Sequence, residues 1–181
     1  LFLSDSVLAV ATRDPQGPGS DWRIALHQVA DPARRPTLLA QRHAGRVMSL
    51  ARDDASAAWA SSDAAGNVYV WKGPGAAPPD LLCRGRVADC LAFAPGQRLL
   101  FTTRQDANKQ SLLELWDIRR KAKIDQTVLA TGQDSYTCAA SRDGNYAVAY
   151  GPTRGELMLF SLNDPDGKPL ARPLSTQPAT P

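Results

Sequence analysis

The sequence predicts an all-β fold, a segment of a β-propeller made of four-stranded antiparallel blades. Strand-like segments end in a large apolar residue at Leu26, Trp71, Trp116 and Phe160, at spacings of 45, 45 and 44 residues. Between these positions, alternating apolar and polar runs are cut by turn clusters such as Asp53-Asp54-Ala55-Ser56, Ala94-Pro95-Gly96-Gln97 and Ser141-Arg142-Asp143-Gly144-Asn145. A repeat of about 40–45 residues holding four short strands has the size of one propeller blade.

The elements follow in order. Val7 to Thr12 and Arg23 to Val29 read as the later strands of a partial first unit, 1–36. Unit 37–79 holds strands at Thr37 to Arg42, Val47 to Ala51, Ala57 to Ser61 and Asn67 to Trp71, and the Gly- and Pro-rich Gly73 to Pro79 then breaks the sheet. Unit 80–126 repeats this with Asp80 to Cys83, Val87 to Phe93, Arg98 to Thr103 and Leu112 to Trp116. Unit 127–168 runs through Thr127 to Ala130, Tyr136 to Ala140, Tyr146 to Tyr150 and Glu156 to Phe160, and closes on the turn Asn163-Asp164-Pro165-Asp166-Gly167. Pro169 to Leu174 reads as the opening of another unit, and 175–181 as a Pro-rich tail or linker. The propeller segment is thus 1–174, three complete blades with partial ones at either end. Seven blades at this period need about 315 residues, so the expectation is part of a larger ring of about seven blades, with a closed four-bladed ring as the alternative.

Composition narrows the function classes. With 181 residues, 43% hydrophobic and 22% charged, the chain can bury a sizeable core. A net charge of +3 argues against a dedicated nucleic-acid binder. The excess of arginine over lysine, with abundant Ala, Pro and Gly, points to a GC-rich, bacterial source. Cys83, Cys90 and Cys138 are odd in number and not closely spaced, which fits a reducing, cytoplasmic compartment rather than a disulfide framework. Two histidines and no Cys/His ligand spacing predict no metal and no cofactor. No apolar run reaches the roughly 18 residues of a membrane span, so no membrane partner is expected. The chain starts Leu1-Phe2-Leu3 without a methionine, so sequence upstream is expected, where a signal or anchor would lie.

Against this background the motifs resemble the WD-repeat propeller family. Arg42-His43-Ala44-Gly45 followed by Arg46-Val47-Met48-Ser49-Leu50-Ala51 is similar to the first half of such a repeat, with Arg42 in place of a glycine. Val68-Tyr69-Val70-Trp71-Lys72 is similar to its closing strand, with Lys72 in place of the aspartate. Leu115-Trp116-Asp117 matches the Trp-Asp ending, while the following unit ends in Phe160-Ser161. The resemblance implies a blade-locking hydrogen-bonded chain of Trp71, Ser61 or Ser62, His43 and Asp63, with Trp116 and Asp117 at the matching end of the next blade. A buried indole N–H or imidazole left without a partner costs about 1–3 kcal/mol, which is why such a chain is structural. His43, Asp63 and Ser61 also have the residue types of a hydrolytic triad, but no glycine-rich elbow surrounds a serine.

Other constellations have bland readings beside the sharper ones. Cys90 and Cys138, in equivalent strands, read as small buried apolar residues lining the blade cores, with redox sensing as the sharper alternative. The basic run Arg119-Arg120-Lys121 with Lys123 reads as a solvated hairpin turn, since no aromatics are interleaved for nucleic-acid stacking. Arg13, Arg104 and Arg154 lie in equivalent loops, and the resemblance places those loops at one end of the central channel, with Arg46 and Arg86 nearby. They form either a basic rim for acidic or phosphorylated peptides or ordinary solvated loops, with Asp14 and Asp106 close enough to neutralise them. The expected function is a non-catalytic scaffold for a protein or peptide partner, attached to the remaining blades and serving as the sensing or docking arm of a signalling protein. The alternatives are the propeller of an enzyme whose catalytic part lies outside this chain, and a periplasmic propeller.

Overall fold

A computed structural model describes residues 1–13, 21–73, 77–96, 98–105, 109–132, 134–163, 170 and 175–178. The described chain is strand and turn throughout, arranged as four separate four-stranded antiparallel sheets, each a simple meander. The first sheet comprises β1 (Phe2–Ser4), β2 (Val7–Arg13), β3 (Trp22–Gln28) and β4 (Thr37–Leu38). The second comprises β5 (Val47–Arg52), β6 (Ala58–Asp63), β7 (Val68–Lys72) and β8 (Asp80–Cys83). The third comprises β9 (Val87–Ala94), β10 (Arg98–Gln105), β11 (Gln110–Asp117) and β12 (Ala122–Thr131), and the fourth β13 (Thr137–Ala140), β14 (Tyr146–Gly151), β15 (Glu156–Ser161) and β16 (Ser175–Pro178).

The sheets group the strands one step out of phase with the sequence units. Thr37–Leu38 bonds back onto β3 through Ala25–Leu38 and Leu26–Thr37, and Asp80–Cys83 bonds back onto β7. The first strand of each unit is therefore the outer strand of the preceding sheet, and the partial units at the ends join into complete sheets. Ser175–Pro178, read from sequence as a linker, pairs with Glu156–Leu159 as an outer strand. Two strands also differ in length. The segment from Thr37 forms only two strand residues, and β12 extends back to Ala122, taking in part of the basic hairpin. The turn residues 164–167, the segment 169 and 171–174, and the end of the tail at 179–181 lie outside the described residues.

Three apolar clusters hold the sheets together, one per junction. Leu3, Val7, Ala9, Ile24 and Leu26 of the first sheet pack with Trp59 and Trp71 of the second. Ala60, Val68, Val70 and Leu82 pack with Leu91, Leu99, Phe101 and Trp116 of the third. Leu100, Leu113, Leu115 and Leu129 pack with Tyr136, Ala147, Met158 and Phe160 of the fourth. Trp71, Trp116 and Phe160 each sit on a third strand, on the side facing the preceding sheet. The 45-residue spacing thus marks one wedge per sheet junction, and a wedge needs bulk: Trp71 stacks on Trp59 with ring centroids 4.5 Å apart.

Hydroxyl clasps reinforce the junctions. Ser62 Oγ donates to the carbonyl of Ala88 at 2.9 Å, and Thr102 Oγ1 donates to that of Tyr136 at 2.7 Å. Ser62 thus reaches from the second strand of its sheet to β9, the inner, first strand of the next, and Thr102 from β10 to the residue just ahead of β13, the inner strand of the fourth sheet. Glycine is required where loops meet: Gly66 has φ +85°, and a Cβ there would stand 2.7 Å from the backbone nitrogen of Arg86.

Candidate functional site

The meander fixes which loops share an end. The connections between second and third strands, and those leading from one sheet into the next, lie at one end of the inner strands; the turns between first and second strands lie at the other. Arg13, Arg46, Arg86, Arg104 and Arg154 therefore belong to the first end, and the turns 53–56, 95–96 and 141–145 to the second.

At the first end, the residues of the blade-locking chain are close but only partly linked. Trp71 Nε1 donates to Ser61 Oγ at 2.9 Å, both groups buried. Strand alternation turns Ser62 the other way, into its clasp on Ala88. Asp63 accepts the backbone N–H of Asn67 at 2.9 Å, and Asn67 Nδ2 donates to both its oxygens at 3.1 and 3.0 Å. The carboxylate is thus used up in its own turn. His43 is fully buried, anchored by backbone bonds to Trp22, and its ring stacks on Tyr69 at 5.1 Å. Neither ring nitrogen has a hydrogen-bond partner among the described residues. Burial pushes the His43 pKa down, with Asp63 pulling weakly the other way. The four-residue relay implied by the resemblance is accordingly reduced to its Trp71–Ser61 link, and the Ser–His–Asp arrangement of a hydrolytic triad is not formed.

The third sheet solves the same problem with a group the sequence reading passed over. Glu114 is fully buried on β11, and its carboxylate accepts Trp116 Nε1 at 3.0 Å and Arg86 Nη1, with Lys123 Nζ at 3.8 Å. Arg86 is therefore a partner of the core rather than a free member of the loop rim. Asp117, three residues after Glu114, caps its hairpin by accepting the backbone N–H of Arg120 at 2.9 Å. The signal available in sequence was a lone acidic residue in the apolar run Leu112-Leu113-Glu114-Leu115-Trp116, a run too apolar to leave a carboxylate unpaired.

The other arginines have diverse settings. Arg154 bonds Asp134 Oδ2 and the carbonyl of Thr131, each at 2.9 Å, and the carboxylate raises its pKa. Arg46 reaches Met48 Sδ at 3.6 Å. Arg13 ends β2 in an exposed position, and the side chain of Arg104 lies outside the described residues.

The opposite end carries a recess of about 340 Å³ lined by turns of three successive sheets: Arg52, Asp53 and Asp54, then Phe93 and Pro95, then Ser141 and Arg142. Next to these turns Arg98 ties the third sheet to the fourth, donating to the carbonyls of Pro95 (2.9 Å), Leu162 (3.1 Å) and Gly144 (3.2 Å). A second recess of about 380 Å³ lies between the second and third sheets, beside Lys72, Asp80, Arg119 and Lys121. Asp80 bridges Lys72 at 3.0 Å and Lys121 at 2.9 Å, and these ammonium groups hold its carboxyl below the usual range. The basic run is thus partly paired at its Lys121 end.

Among the described residues no group of three or more His, Cys, Asp or Glu side chains is placed to hold a metal ion, and no helix is long and apolar enough to cross a membrane. All three cysteines are free thiols, each partly buried. Cys90 and Cys138, expected as small buried apolar residues, are partly buried, with Cys138 packed against the apolar cluster of the third and fourth sheets, and the two lie side by side across that junction.

No family model matches the chain. No curated protein matches it. Among solved structures, the C-terminal WD40 domain of Sif2 is similar with a TM-score of 0.64 and 14% identity, over 89% of this chain and 42% of that one. A chain of the mitotic checkpoint complex is similar with a TM-score of 0.73 and 15% identity, over 98% of this chain and 50% of that one. At such identities the likeness is one of fold: four blades of a WD40-type β-propeller, spanning about half the length of the chains they match.

Proposed function

We propose that the chain is a non-catalytic scaffold that presents the loops of stacked blades to a protein or peptide partner. The observation that carries this reading is the recess at the turn end. It mixes two arginines, two aspartates, an aromatic ring and a proline, drawn from three sheets, so the surface exists only when the blades are stacked. Such a mixture suits a peptide with both charged and apolar side chains, and rigid blades holding variable turns are a general means of building such sites. One of the similar structures named above is a chain of the mitotic checkpoint complex.

The arginine end is the second candidate surface, with Arg13, Arg46, Arg104 and Arg154 as its contact residues and Arg86 kept for the core. The free thiols support a cytoplasmic setting, and a docking arm of a larger signalling protein, bacterial in origin, is the wider context proposed. The experiment is quantitative co-purification from the source cells with the intact protein and two variant sets, Arg52→Glu with Arg142→Glu at the recess and Arg13, Arg104 and Arg154→Ala at the other end. Loss of the same partner with the first set, and its retention with the second, supports the recess. Unchanged recovery with both sets overturns the loop-scaffold reading.

A further inference from the structure

Ser49 on β5 and Cys90 on β9 occupy matching places on consecutive inner strands. Ser49 pairs in register with Ser62, and Cys90 with Thr102, the two residues whose hydroxyls clasp the next sheet. Each also accepts a backbone N–H from the next inner strand: Leu91 N–H reaches Ser49 Oγ at 3.1 Å, and Cys138 N–H reaches Cys90 Sγ at 3.3 Å. The junctions differ in what faces that acceptor. Between the second and third sheets it is Leu91; between the third and fourth it is Cys138. There, Cys90 Sγ lies 3.5 Å from the carbonyl oxygen of Cys138, and Cys138 Sγ lies 3.8 Å from that of Cys90. Each sulfur therefore rests against the backbone of the other residue, on strands side by side, and both residues keep some solvent exposure. Contacts this close between the two residues suit a disulfide, whose Cα atoms stand about 4.4–6.8 Å apart.

We propose that Cys90 and Cys138 form a redox latch, oxidised by a peroxide to a disulfide that ties the inner strand of the third sheet to that of the fourth. The Cys90 thiolate attacks one peroxide oxygen, the O–O bond breaks, and a sulfenic acid forms as the other oxygen leaves as hydroxide or, from an alkyl hydroperoxide, as the alkoxide that becomes the alcohol. The Cys138 sulfur then attacks the Cys90 sulfur. The S–S bond forms, the S–O bond breaks, and the departing hydroxide takes the Cys138 thiol proton as water. Two thiols give up two electrons and two protons, and a hydroperoxide is reduced to water and an alcohol, or hydrogen peroxide to two waters. A dithiol reductant reverses the latch by exchange.

The surroundings divide the roles. The hydrogen bond with the Cys138 thiol, reinforced by the Cys138 N–H, holds the Cys90 thiol down to about 6 against burial and the neighbouring Asp89. The same contact with Cys90, with burial, raises Cys138 well above the ordinary thiol range. Cys90 is thus the attacking sulfur at neutral pH and Cys138 the resolving one. Burial pushes Cys83 up to about 12, which makes it an internal control. With its thiolate suppressed by burial, Cys83 reacts after Cys90. The latch requires no partner and stands independently of the scaffold reading.

The test treats the whole chain with hydrogen peroxide, blocks remaining thiols by alkylation, and maps peptides without reduction. The expected result is a Cys90–Cys138 cross-link within one chain, lighter by two hydrogens, with Cys83 alkylated. The thermal midpoint rises by about 5–10 °C and returns to its starting value with dithiothreitol. Cys83→Ser leaves the cross-link intact, whereas Cys138→Ser stops it and leaves a sulfenic acid at Cys90 that dimedone traps. Modification of Cys83 before Cys90, pairing only between chains, or the absence of this cross-link at every peroxide dose overturns the latch. The mapping on the unaltered chain decides the matter even if a variant does not fold.

Discussion

Replacing Arg86 by alanine tests whether that arginine belongs to the core or to a partner-binding rim. Glu114 is fully buried, and its charge is balanced by Arg86, the indole N–H of Trp116 at 3.0 Å, and the more distant ammonium of Lys123 at 3.8 Å. Breaking a buried ion pair by removing one partner typically costs about 3–5 kcal/mol, because a charge is left uncompensated. The Arg86 side chain is 27% exposed and Lys123 remains, so solvent and the ammonium absorb part of that, leaving about 2–4 kcal/mol. For a chain of this size that lowers the thermal midpoint by about 5–15 °C. An arginine projecting from a loop would shift stability by only about 0.5 kcal/mol. Circular dichroism melts at neutral pH separate the two, and the double variant Arg86→Ala/Glu114→Gln sharpens the comparison. The amide keeps a hydrogen-bond acceptor for Trp116 and removes the charge, so it recovers at least half of the loss. A midpoint within about 1 °C of the unaltered chain, or a double variant no better than Arg86→Ala alone, refutes the buried-pair argument.

Trp71→Ala removes a stacked, fully buried ring at the first junction and costs about 3–5 kcal/mol; little change in the urea midpoint shows that Trp71 is not the wedge. Arg98→Ala deletes three charge-assisted bonds, two of which join the third sheet to the fourth, costing about 1.5–3 kcal/mol, and Arg98→Lys recovers little because one ammonium cannot span the three carbonyls; equal stability of the lysine variant contradicts the staple. Burial holds the folded-state pKa of His43 below its ordinary value of 6.5, so the unfolded chain binds more protons as pH falls through that value. Stability contributed by neutral His43 is thus present above about pH 6.5 and lost below it. His43→Phe, which keeps the stack on Tyr69, flattens that acid slope, and parallel melting profiles of the two proteins across the range refute the assignment.

Much of the fold was legible in the chain because one kind of information repeats. A wedge residue recurs every 44 or 45 positions, and apolar alternation with turn clusters fills the interval, so sheet, period and junction residue can all be counted. The phase of the grouping could not be counted. A strand such as Thr37–Leu38 or Asp80–Cys83 carries the same pattern whichever sheet it joins, and only backbone pairing across a loop decides that it completes the preceding one. The polar interior was least legible. Residue types near Trp71 implied a relay, but the register of β6 aims Ser61 at the indole and Ser62 at Ala88, while the turn at Asn67 takes the carboxylate of Asp63.

What the sequence by itself determined is the repeating β-architecture, its wedges and its turns, since local propensity and spacing act along the chain. What only the tertiary structure decided is which polar groups meet: Glu114 with Arg86, 28 positions apart, and Cys90 with Cys138, 48 apart. The first pair meets because the third sheet folds its own strands together and the second because consecutive sheets are stacked, and their energies depend on burial and distance that no single segment encodes.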